Sequence, residues 1–266
     1  MNLITIPDRR FGVANRRALP VIPSDVLWDC DFTQPLGNYG WAEQSKVPGR
    51  ATLVTANGRT CVRLHTEPGD NGVNNSLTWE RNDLEGTVPA LIFNEGQEMW
   101  FAHSVLFPND YVDPPESQLN GVWNAGVVFD FHNSLPGGGQ ANFMMLGMPV
   151  TAITPDRSTG ISYQMSWGTQ AASQAQNYPI GPVQRNVWYD SVYHALWTAG
   201  AGGYFDAWTN GVHKMHYIGP TLYFGQGVYT KLANYHTAFG LPTSVLHSRI
   251  VVGKTAASVA LTPLGA

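Results

Sequence analysis

Two aromatic segments joined by a glycine-rich turn constrain the fold of this chain more than any other feature. The first runs from Trp188 to Trp197, and the second runs from Gly203 to an Asn210-Gly211 pair. Aromatic and branched residues that alternate with polar ones are typical of β-strands, and Asn-Gly between such runs is a strong hairpin signal. This part of the sequence therefore predicts consecutive antiparallel strands.

The first of these strands has no purely apolar face. Residues two apart lie on the same side of a strand, so Tyr189, Ser191 and Tyr193 share one face and Asp190 and His194 share the other. Both faces mix rings with polar groups. Such a mixture suits a sugar-binding surface, because sugar CH groups stack on rings and hydroxyls need directional hydrogen-bond partners.

The composition favours an all-β protein over a helical one. Among 266 residues there are 28 glycines and 18 prolines, aromatic residues make up 12% and charged residues only 13%. This mixture predicts many short strands joined by turns, and no internal repeat indicates a propeller or solenoid. We therefore expect a two-sheet antiparallel jelly-roll sandwich. Further strands are predicted at 26–32, 51–55, 60–65, 98–107, 122–131, 161–167, 227–231 and 248–252. Asn57-Gly58 predicts a hairpin between the strands at 51–55 and 60–65, and Gly126 predicts a bulge in the strand at 122–131.

Residues 1–25 differ from the rest of the chain and are predicted to form an extended N-terminal arm in front of a sandwich domain at 26–266. The arm has too little patterned apolar surface to fold alone. It is either a loosely packed segment or an anchor that docks into another protein, such as another component of a virus particle. Its basic residues are Arg9, Arg10, Arg16 and Arg17.

Charge and hydropathy exclude several partners. The formal net charge is −4 and the isoelectric point is near 6.0, which gives no general attraction to nucleic acid or to anionic lipid. We expect neither nucleic acid nor a membrane as a partner. The first residues lack the apolar core of a signal peptide, and no run reaches the roughly 20 apolar residues of a membrane span. We therefore expect a soluble chain that is not exported by the usual leader.

Two small groups of residues have alternative interpretations. Cys30 and Cys61 could form a disulfide if their strands are neighbours, but two buried free thiols fit equally well and are favoured here. A structural calcium ion is another option, because Asp29, Asp31 and Asp70 lie near predicted turns. Apart from that ion, no cofactor is expected.

Other candidate motifs indicate no cofactor or metal centre. Gly137-Gly138-Gly139 precedes no Lys-Ser or Lys-Thr pair, so it is a mobile lid or a surface turn and not a phosphate loop. His213 and His216 have metal-ligand chemistry, but no acidic residue with suitable spacing accompanies them, and exposed turn histidines are the preferred interpretation. The lack of a cofactor motif argues against an intracellular enzyme acting on a small metabolite.

Three landmarks occur in order along the sequence. A strand at 126–132 ends in His132 before the glycine loop, the aromatic pair of strands follows, and the third landmark runs from Tyr229 through Lys231 to Tyr235 and His236. Over roughly residues 26–260 the chain resembles the jelly-roll polysaccharide lyases of the heparin lyase I and glucuronan lyase type. Lys231-x-x-x-Tyr235 combined with His132 is the most discriminating part of the resemblance.

The resemblance implies β-elimination from a uronate polysaccharide. In that reaction the carboxylate is neutralised, a base removes the proton from the adjacent carbon and an acid protonates the departing oxygen. The resemblance assigns Tyr235 as the acid, or as both acid and base, and His132 as the base or the carboxylate neutraliser. Lys231 would lower the pKa of the tyrosine, because a phenol near pKa 10 needs such help at neutral pH.

The chain departs from the family pattern at four places. Asp130 stands where the family commonly has glutamine, Ala233 replaces a glycine, and His236 replaces an arginine. The segment Asn75-Ser76-Leu77 aligns with a motif that begins with a substrate-binding arginine, for which Arg81 or Arg63 could substitute. The residues predicted to contact substrate are Asp130, Arg81, Tyr193, Trp197 and His236.

These observations lead to two hypotheses. The first is a protein that binds or degrades an extracellular polysaccharide, located outside the cell or in a bacteriophage virion, where it acts on a host-surface glycan. The alternative is a catalytically silent adhesin or structural virion protein that uses the same sandwich for binding or assembly. The two hypotheses differ in geometry, because catalysis requires His132, Lys231 and Tyr235 to line one open cleft.

Overall fold

The structure is a computed structural model that describes residues 25–71, 79–113, 126–134, 141–149, 156, 158–169 and 172–259. Residues 1–24 of the predicted arm, the segment 75–77 and the triple glycine at 137–139 lie outside these ranges. Within the ranges, no helix has the length and apolar character needed to cross a membrane.

Sixteen strands make up most of the described residues, together with two 3-10 turns and one short helix. In chain order the strands are β1 (Val26–Cys30), β2 (Trp41–Ser45), β3 (Ala51–Ala56), β4 (Arg59–Thr66), β5 (Trp79–Gly86), β6 (Ile92–Phe93), β7 (Glu98–Leu106), β8 (Gly126–Asn133), β9 (Phe143–Pro149), β10 (Thr159–Thr169), β11 (Ala172–Pro182), β12 (Trp188–Leu196), β13 (Tyr204–Thr209), β14 (Val212–Ile218), β15 (Val228–Thr237) and β16 (Thr243–Gly253). The helix α1 spans Ala256–Val259.

The strands form two eight-stranded antiparallel sheets that pack face to face. Sheet A has the order β14-β13-β12-β7-β16-β4-β3, with β1 paired to β16. Sheet B has the order β11-β10-β9-β8-β15-β5-β2, with β6 paired to β15. The predicted all-β sandwich of two antiparallel sheets is therefore confirmed.

Asn-Gly pairs fix two of the hairpins. Asn57-Gly58 joins β3 to β4 with φ values of 47° and 77°, and Asn210-Gly211 joins β13 to β14 with 49° and 76°. Two consecutive positive φ angles are the requirement of a type I′ turn, whose twist matches that of the flanking strands. Both hairpins occur where the sequence predicts them, and their tight turns set the register of the strands on either side.

The inner faces of the two sheets form one aromatic core. Tyr193 packs there with ring centroids 5.0 Å from Phe143 and 5.6 Å from Phe129. Full burial of a phenylalanine such as Phe129 or Phe143 stabilises the fold by about 1.5–3 kcal/mol. Cys30 and Cys61 are both buried free thiols, which confirms the favoured interpretation. Burial raises the pKa of Cys30 to about 12 and that of Cys61 to about 11.

Several strands were not predicted from the sequence, among them β5, β9 and β11. Strand β5 reads Trp-Glu-Arg-Asn-Asp-Leu-Glu-Gly, and this polar composition hides its alternation. Strand β15 is longer than the predicted 227–231 and continues through Tyr235. The register of β8 against β9 shifts between Val127 and Phe129, one residue after the bulge predicted at Gly126.

Candidate active site on the outer face of sheet B

Strand β15 directs its functional side chains to the outer face of sheet B. Leu232 belongs to the core between the sheets, whereas Ala233 and Tyr235 pack in a separate small cluster with Val127 and Leu146. Since alternate residues share a face, Lys231 lies on the same side as Tyr235. The outer face is thus a mixed surface of rings, apolar groups and charges.

His132 lies beside Tyr229 on this face. The two residues are register partners on β8 and β15, and their ring centroids are 5.3 Å apart. Nδ1 of His132 is 3.0 Å from the backbone oxygen of Asn133. If Nδ1 carries the proton and donates it to that oxygen, Nε2 is left as a proton acceptor. Both side chains are partly exposed, so a ligand on the face can contact them.

Tyr235 has different neighbours from those predicted. It is the register partner of Arg81, whose guanidinium carbon lies 4.2 Å from the phenol ring centroid, and the ring of Trp79 is 5.1 Å away. The strand register pairs His132 with Tyr229, whereas Arg81, the neighbour of Tyr235, shares the acceptor Gln44 Oε1 with Lys231. That His132 and Tyr235 act on one bond stays a prediction.

Lys231 lies beneath the surface in a network of acceptors. Its Nζ is 3.0 Å from Asp83 Oδ2, 3.8 Å from Glu85 Oε1 and 2.9 Å from Gln44 Oε1. The lysine side chain is only 4% exposed and that of Asp83 1%. Burial by itself would lower the pKa of Lys231, but Asp83 and Asp130 raise it above its ordinary value. The ammonium group is therefore permanently charged and held in place.

Asp130 is the register partner of Lys231 and is almost completely buried. Burial raises the pKa of its carboxyl to about 6, and the neighbouring His132 and Lys231 only partly oppose this increase. Its Oδ1 has no hydrogen-bond partner among the described residues. Asp130 therefore changes between a neutral donor and an anion in the mildly acidic range.

Burial raises the pKa of both tyrosines, and a different cation opposes the shift at each one. The pKa of Tyr229 rises to about 12, and Lys231 is the main group that lowers it. The pKa of Tyr235 also rises, and Arg81 opposes the shift more than Lys231 does. Lys231 therefore acts on the pKa of Tyr235 in the predicted direction, although Arg81 contributes more there, and it acts on Tyr229 as well.

Three of the predicted substrate contacts lie inside the sandwich. Tyr193 and Trp197 are fully buried in the aromatic core. His236 is also buried, and its Nε2 is 2.8 Å from Thr66 Oγ1 on the opposite sheet. None of the three has a surface on which a sugar could stack, so the prediction that they contact substrate is wrong in this geometry. Burial lowers the pKa of His236 to about 4, which keeps it neutral.

The two arginines suggested as replacement cations are in different places. Arg81 lies on the outer face of sheet B, where its Nη1 donates to Gln44 Oε1 at 2.9 Å, and its side chain is 19% exposed. Arg63 belongs to β4 of sheet A and pairs with Asp110 at 2.7 Å. Arg81 is therefore the accessible cation of the candidate site.

The three aspartates suggested for calcium do not form a common ligand set. Asp29 pairs with Arg249 at 2.8 Å, Asp31 accepts from Thr33 Oγ1 at 2.8 Å, and Asp70 pairs with Arg50 at 3.0 Å. Within the described ranges, only Asp206, His213 and His216 bring three possible ligand atoms within 4.8 Å of one another. Calcium binding by the aspartates stays a prediction. The statement that the two histidines lack an acidic partner is wrong, because the neighbouring strand supplies Asp206.

Sequence reasoning missed four residues of the candidate site. Tyr229 could have been found, because it lies two residues before Lys231 and so shares its face. The others belong to the unrecognised strands β2 and β5. Strand β5 pairs with β15, and β2 pairs with β5, and no sequence signal revealed these pairings. The four residues are Tyr229, Asp83, Glu85 and Gln44.

Comparisons with known proteins place this geometry in context. A family model described as polysaccharide lyase matches residues 35–251. The endo-β-1,4-glucuronan lyase of the fungus Trichoderma reesei aligns with a TM-score of 0.63 and 14% identity over 89% of this chain and 99% of that one. A carbohydrate esterase from the Shiga toxin-encoding bacteriophage phi24B aligns with a TM-score of 0.50 and 13% identity over 86% of this chain and 99% of that one. The alginate lyase AlyC3 aligns with a TM-score of 0.50 and 7% identity over 73% of this chain and 75% of that one. These structural likenesses concern the fold alone, and no curated protein matches the sequence.

Proposed function

The chain belongs to the polysaccharide lyase family, and from this premise we propose that it cleaves a uronate polysaccharide by β-elimination on the outer face of sheet B. One observation carries the proposal. His132 and Tyr229, two groups able to transfer protons, lie side by side and partly exposed at 5.3 Å between ring centroids, with Lys231 next to them on the same strand face.

His132 and Tyr229 have complementary roles in this reaction. Nε2 of His132 takes the proton from the carbon next to the uronate carboxylate, and the released electron pair forms a carbon–carbon double bond. The bond to the glycosidic oxygen breaks, and the phenol of Tyr229 gives its proton to that oxygen. A phenol with a pKa of about 12 is protonated at neutral pH and is therefore suited to act as the acid.

Lys231 is a positioning residue in this proposal. At 4% exposure it does not offer a surface to a polysaccharide. Its charge instead stabilises the phenolate that Tyr229 becomes after donating its proton, and it is the main group that lowers the pKa of that phenol. Asp83 and Gln44 hold the ammonium group in place through contacts of 3.0 Å and 2.9 Å.

Asp130 takes the place of the glutamine that the related lyases commonly have. When it is protonated, its carboxyl group is neutral, as an amide is, and adds no negative charge beneath the face that would repel a uronate carboxylate. A pKa of about 6 makes this form available in mildly acidic solution. The same residue opposes substrate binding when it is ionised, so activity is expected to fall as the pH rises through about 6.

Arg81 and Tyr235 extend the site along the strand. Their cation–π pair adjoins the Lys231 network, because Arg81 Nη1 and Lys231 Nζ each donate to Gln44 Oε1 at 2.9 Å. A polysaccharide bound along the strand would reach this pair as well as His132 and Tyr229. We therefore propose that Arg81 and Tyr235 bind the sugar chain beside the cleaved linkage, through ring stacking and a charged hydrogen bond.

The test is cleavage of a panel of uronate polymers that includes glucuronan and alginate. The wild-type protein is expected to generate the ultraviolet absorbance of an unsaturated uronate. His132→Gln is expected to reduce the rate by about 10²–10⁴-fold, the usual contribution of a general base. His213→Gln, a change at an exposed histidine of sheet A, serves as the matched control and should retain the wild-type rate. Lack of product across the panel, or full activity in His132→Gln, would contradict the proposal.

A second candidate function is polysaccharide binding without cleavage. One observation favours it, namely that Asp83 and Glu85 already neutralise Lys231 while Asp130 adds a further acidic group. In that case the protein would retain a glycan on an affinity matrix, and incubation would release no unsaturated product. Wild-type binding that is lost in Arg81→Ala, together with no unsaturated product from the wild type, would distinguish the binding function from the lyase.

We also propose that the substrate is a host-surface glycan and that the protein acts outside the cell or in a bacteriophage virion. The basic residues predicted to lie in an N-terminal anchor and the fold-level likeness to a phage carbohydrate esterase support this location. Fluorescently labelled protein should bind encapsulated bacteria of a susceptible strain and not isogenic cells without a capsule. Equal binding to both cell types would argue against a capsule as the target.

A further inference from the structure

The outer face of sheet A carries a second group of chemically active side chains, remote from the candidate active site. Nε2 of His213 and Nδ1 of His216 each lie 2.8 Å from the same atom, Oδ1 of Asp206. The histidine side chains are 47% and 56% exposed and the aspartate is 18% exposed. Three possible ligand atoms therefore converge at a position that is open to solvent.

A bulge brings the two histidines to one face. Residues three apart in a regular strand point to opposite sides, so His213 and His216 should diverge. The register of β14 against β13 shifts here, with Ala207 opposite Met215 and Trp208 opposite His213. Lys214 is the extra residue of this bulge, and the shift rotates His213 to the side of His216. Bulges commonly redirect a side chain at functional sites.

Asp206 differs from other aspartates of the sandwich in its partners. Asp29, Asp70 and Asp190 each pair with an arginine. In the part of the chain that the structure describes, Asp206 has ion pairs only with the two imidazoles. Lys214, between those histidines in sequence, directs its Nζ toward the backbone oxygen of Ile180 at 3.5 Å. A bound cation would therefore not have to displace a lysine or arginine from this carboxylate.

We infer that Asp206, His213 and His216 form a binding site for a divalent transition metal ion of the zinc class. Imidazole nitrogens and a carboxylate oxygen are ligands that Zn²⁺ accepts at about 2.0–2.2 Å, and three protein ligands leave at least one position for water. Ligand atoms around such an ion lie slightly more than 3 Å apart, so small rotations of exposed side chains would admit it. The proton now directed at Asp206 would move to the solvent-facing nitrogen of each ring.

The experiment uses the tag-free full chain, freed of metal with a chelator, and titrates it with ZnCl₂ by calorimetry. The wild type is expected to bind one Zn²⁺ per chain, and Co²⁺ should give the visible absorption of a four- or five-coordinate site. His213→Ala and His216→Ala should each weaken binding by at least about tenfold. His65→Ala is the matched control, because His65 pairs with one carboxylate, that of Glu67 at 2.8 Å, and should leave binding unchanged.

Two results would overturn the inference. One is the absence of saturable Zn²⁺ binding by the wild type, and the other is wild-type affinity in both histidine variants. Melting temperatures measured in chelator should match that of the wild type, which separates a loss of binding from a loss of structure. Asp206→Asn provides an independent check, since it keeps the size of the side chain and removes the anionic ligand.

Discussion

The two outer faces of the sandwich contain similar residue types in opposite environments. On sheet B, Lys231 and Asp83 form an ion pair whose side chains are 4% and 1% exposed. On sheet A, His213 and His216 contact Asp206 with about half of each imidazole exposed. Desolvation makes the charges of sheet B interact strongly and shifts their pKa values, whereas solvent screens those of sheet A.

This difference separates two kinds of polar site on one scaffold. The buried charges of sheet B are fixed before any ligand arrives, which suits electrostatic stabilisation of a reaction. The exposed groups of sheet A reorient easily and have open positions, which suits the binding of an ion from solution. Substitutions on the two faces should therefore have effects of different size.

The largest effect on stability is expected for Lys231→Met. This change leaves Asp83 buried without its closest cation, and breaking a buried pair in this way typically costs about 3–5 kcal/mol. Arg249→Met, which breaks the exposed pair with Asp29, should cost no more than about 1 kcal/mol. Urea unfolding measures both, and the double variant Lys231→Met/Asp83→Asn should recover part of the loss. Equal losses of unfolding free energy in Lys231→Met and Arg249→Met would contradict the proposed difference between the buried ion pair of sheet B and the exposed pair of sheet A.

The next largest effect is the pH dependence that Asp130 contributes. Its pKa is about 6 in the folded protein and near 3.8 when unfolded, so the folded state retains the proton longer and loses stability as the pH rises through this interval. At a pH above about 6, Asp130→Asn removes the free-energy cost of keeping an ionised carboxylate buried at this position, which is about 3 kcal/mol. The stability of the variant relative to wild type should therefore increase from pH 4 to pH 7.5. Buried His236 and His247 titrate in both proteins, so their contributions cancel in the difference.

A constant difference between Asp130→Asn and wild type over this range would show that the carboxyl titrates normally. In that case the proposed role of its protonated form in carboxylate recognition would also fail. The same variant offers a kinetic check, because the fall in activity with rising pH should become flatter.

A smaller effect is expected for Arg81→Lys. The substitution keeps the charge but weakens the stacking over Tyr235 and the planar contact to Gln44, at a cost of about 1 kcal/mol. The KM for a polysaccharide should increase while kcat changes little, since Arg81 is proposed to bind the sugar chain and not to transfer a proton. Arg63→Lys, at a half-exposed pair on sheet A, is the control. A large fall in kcat for Arg81→Lys would move the reaction toward Tyr235.

The smallest effect is expected for His216→Ala in the presence of a chelator. Exposed side chains outside special features change stability by no more than about 0.5 kcal/mol. Thermal unfolding without metal should therefore be close to wild type, and a difference should emerge only when Zn²⁺ is added. A large loss in chelator would indicate that the cluster is structural.

The sequence predicted the elements whose geometry is locally determined. Asn57-Gly58 and Asn210-Gly211 permit the positive φ angles of their turns, so both hairpins were found with nearly correct bounds. Alternation correctly grouped Tyr189, Ser191 and Tyr193 on one face. It could not show that this face is buried, because a period of two defines two faces and not their environments. Tyr193 and Trp197 were therefore wrongly predicted to bind substrate.

The rest of the site depends on the pairing of strands distant in sequence. That His132 faces Tyr229 follows from the register of β8 and β15, which local patterns do not encode. The position of Asp206 between His213 and His216 depends on a bulge, which polar edge-strand residues do not signal. His236 is the exception, because its odd spacing from Lys231 and Tyr235 already places it on the other face.

The most direct test of the account compares initial rates of Tyr229→Phe and Tyr235→Phe on a uronate polymer that the wild type cleaves. Each variant loses only a hydroxyl, and retention of the wild-type melting temperature verifies that the fold is intact. We expect Tyr229→Phe to lose at least about 10²-fold in kcat, as removal of a general acid does, and Tyr235→Phe to remain within about tenfold of wild type. Loss of activity in Tyr235→Phe with retention in Tyr229→Phe would contradict the proposed site.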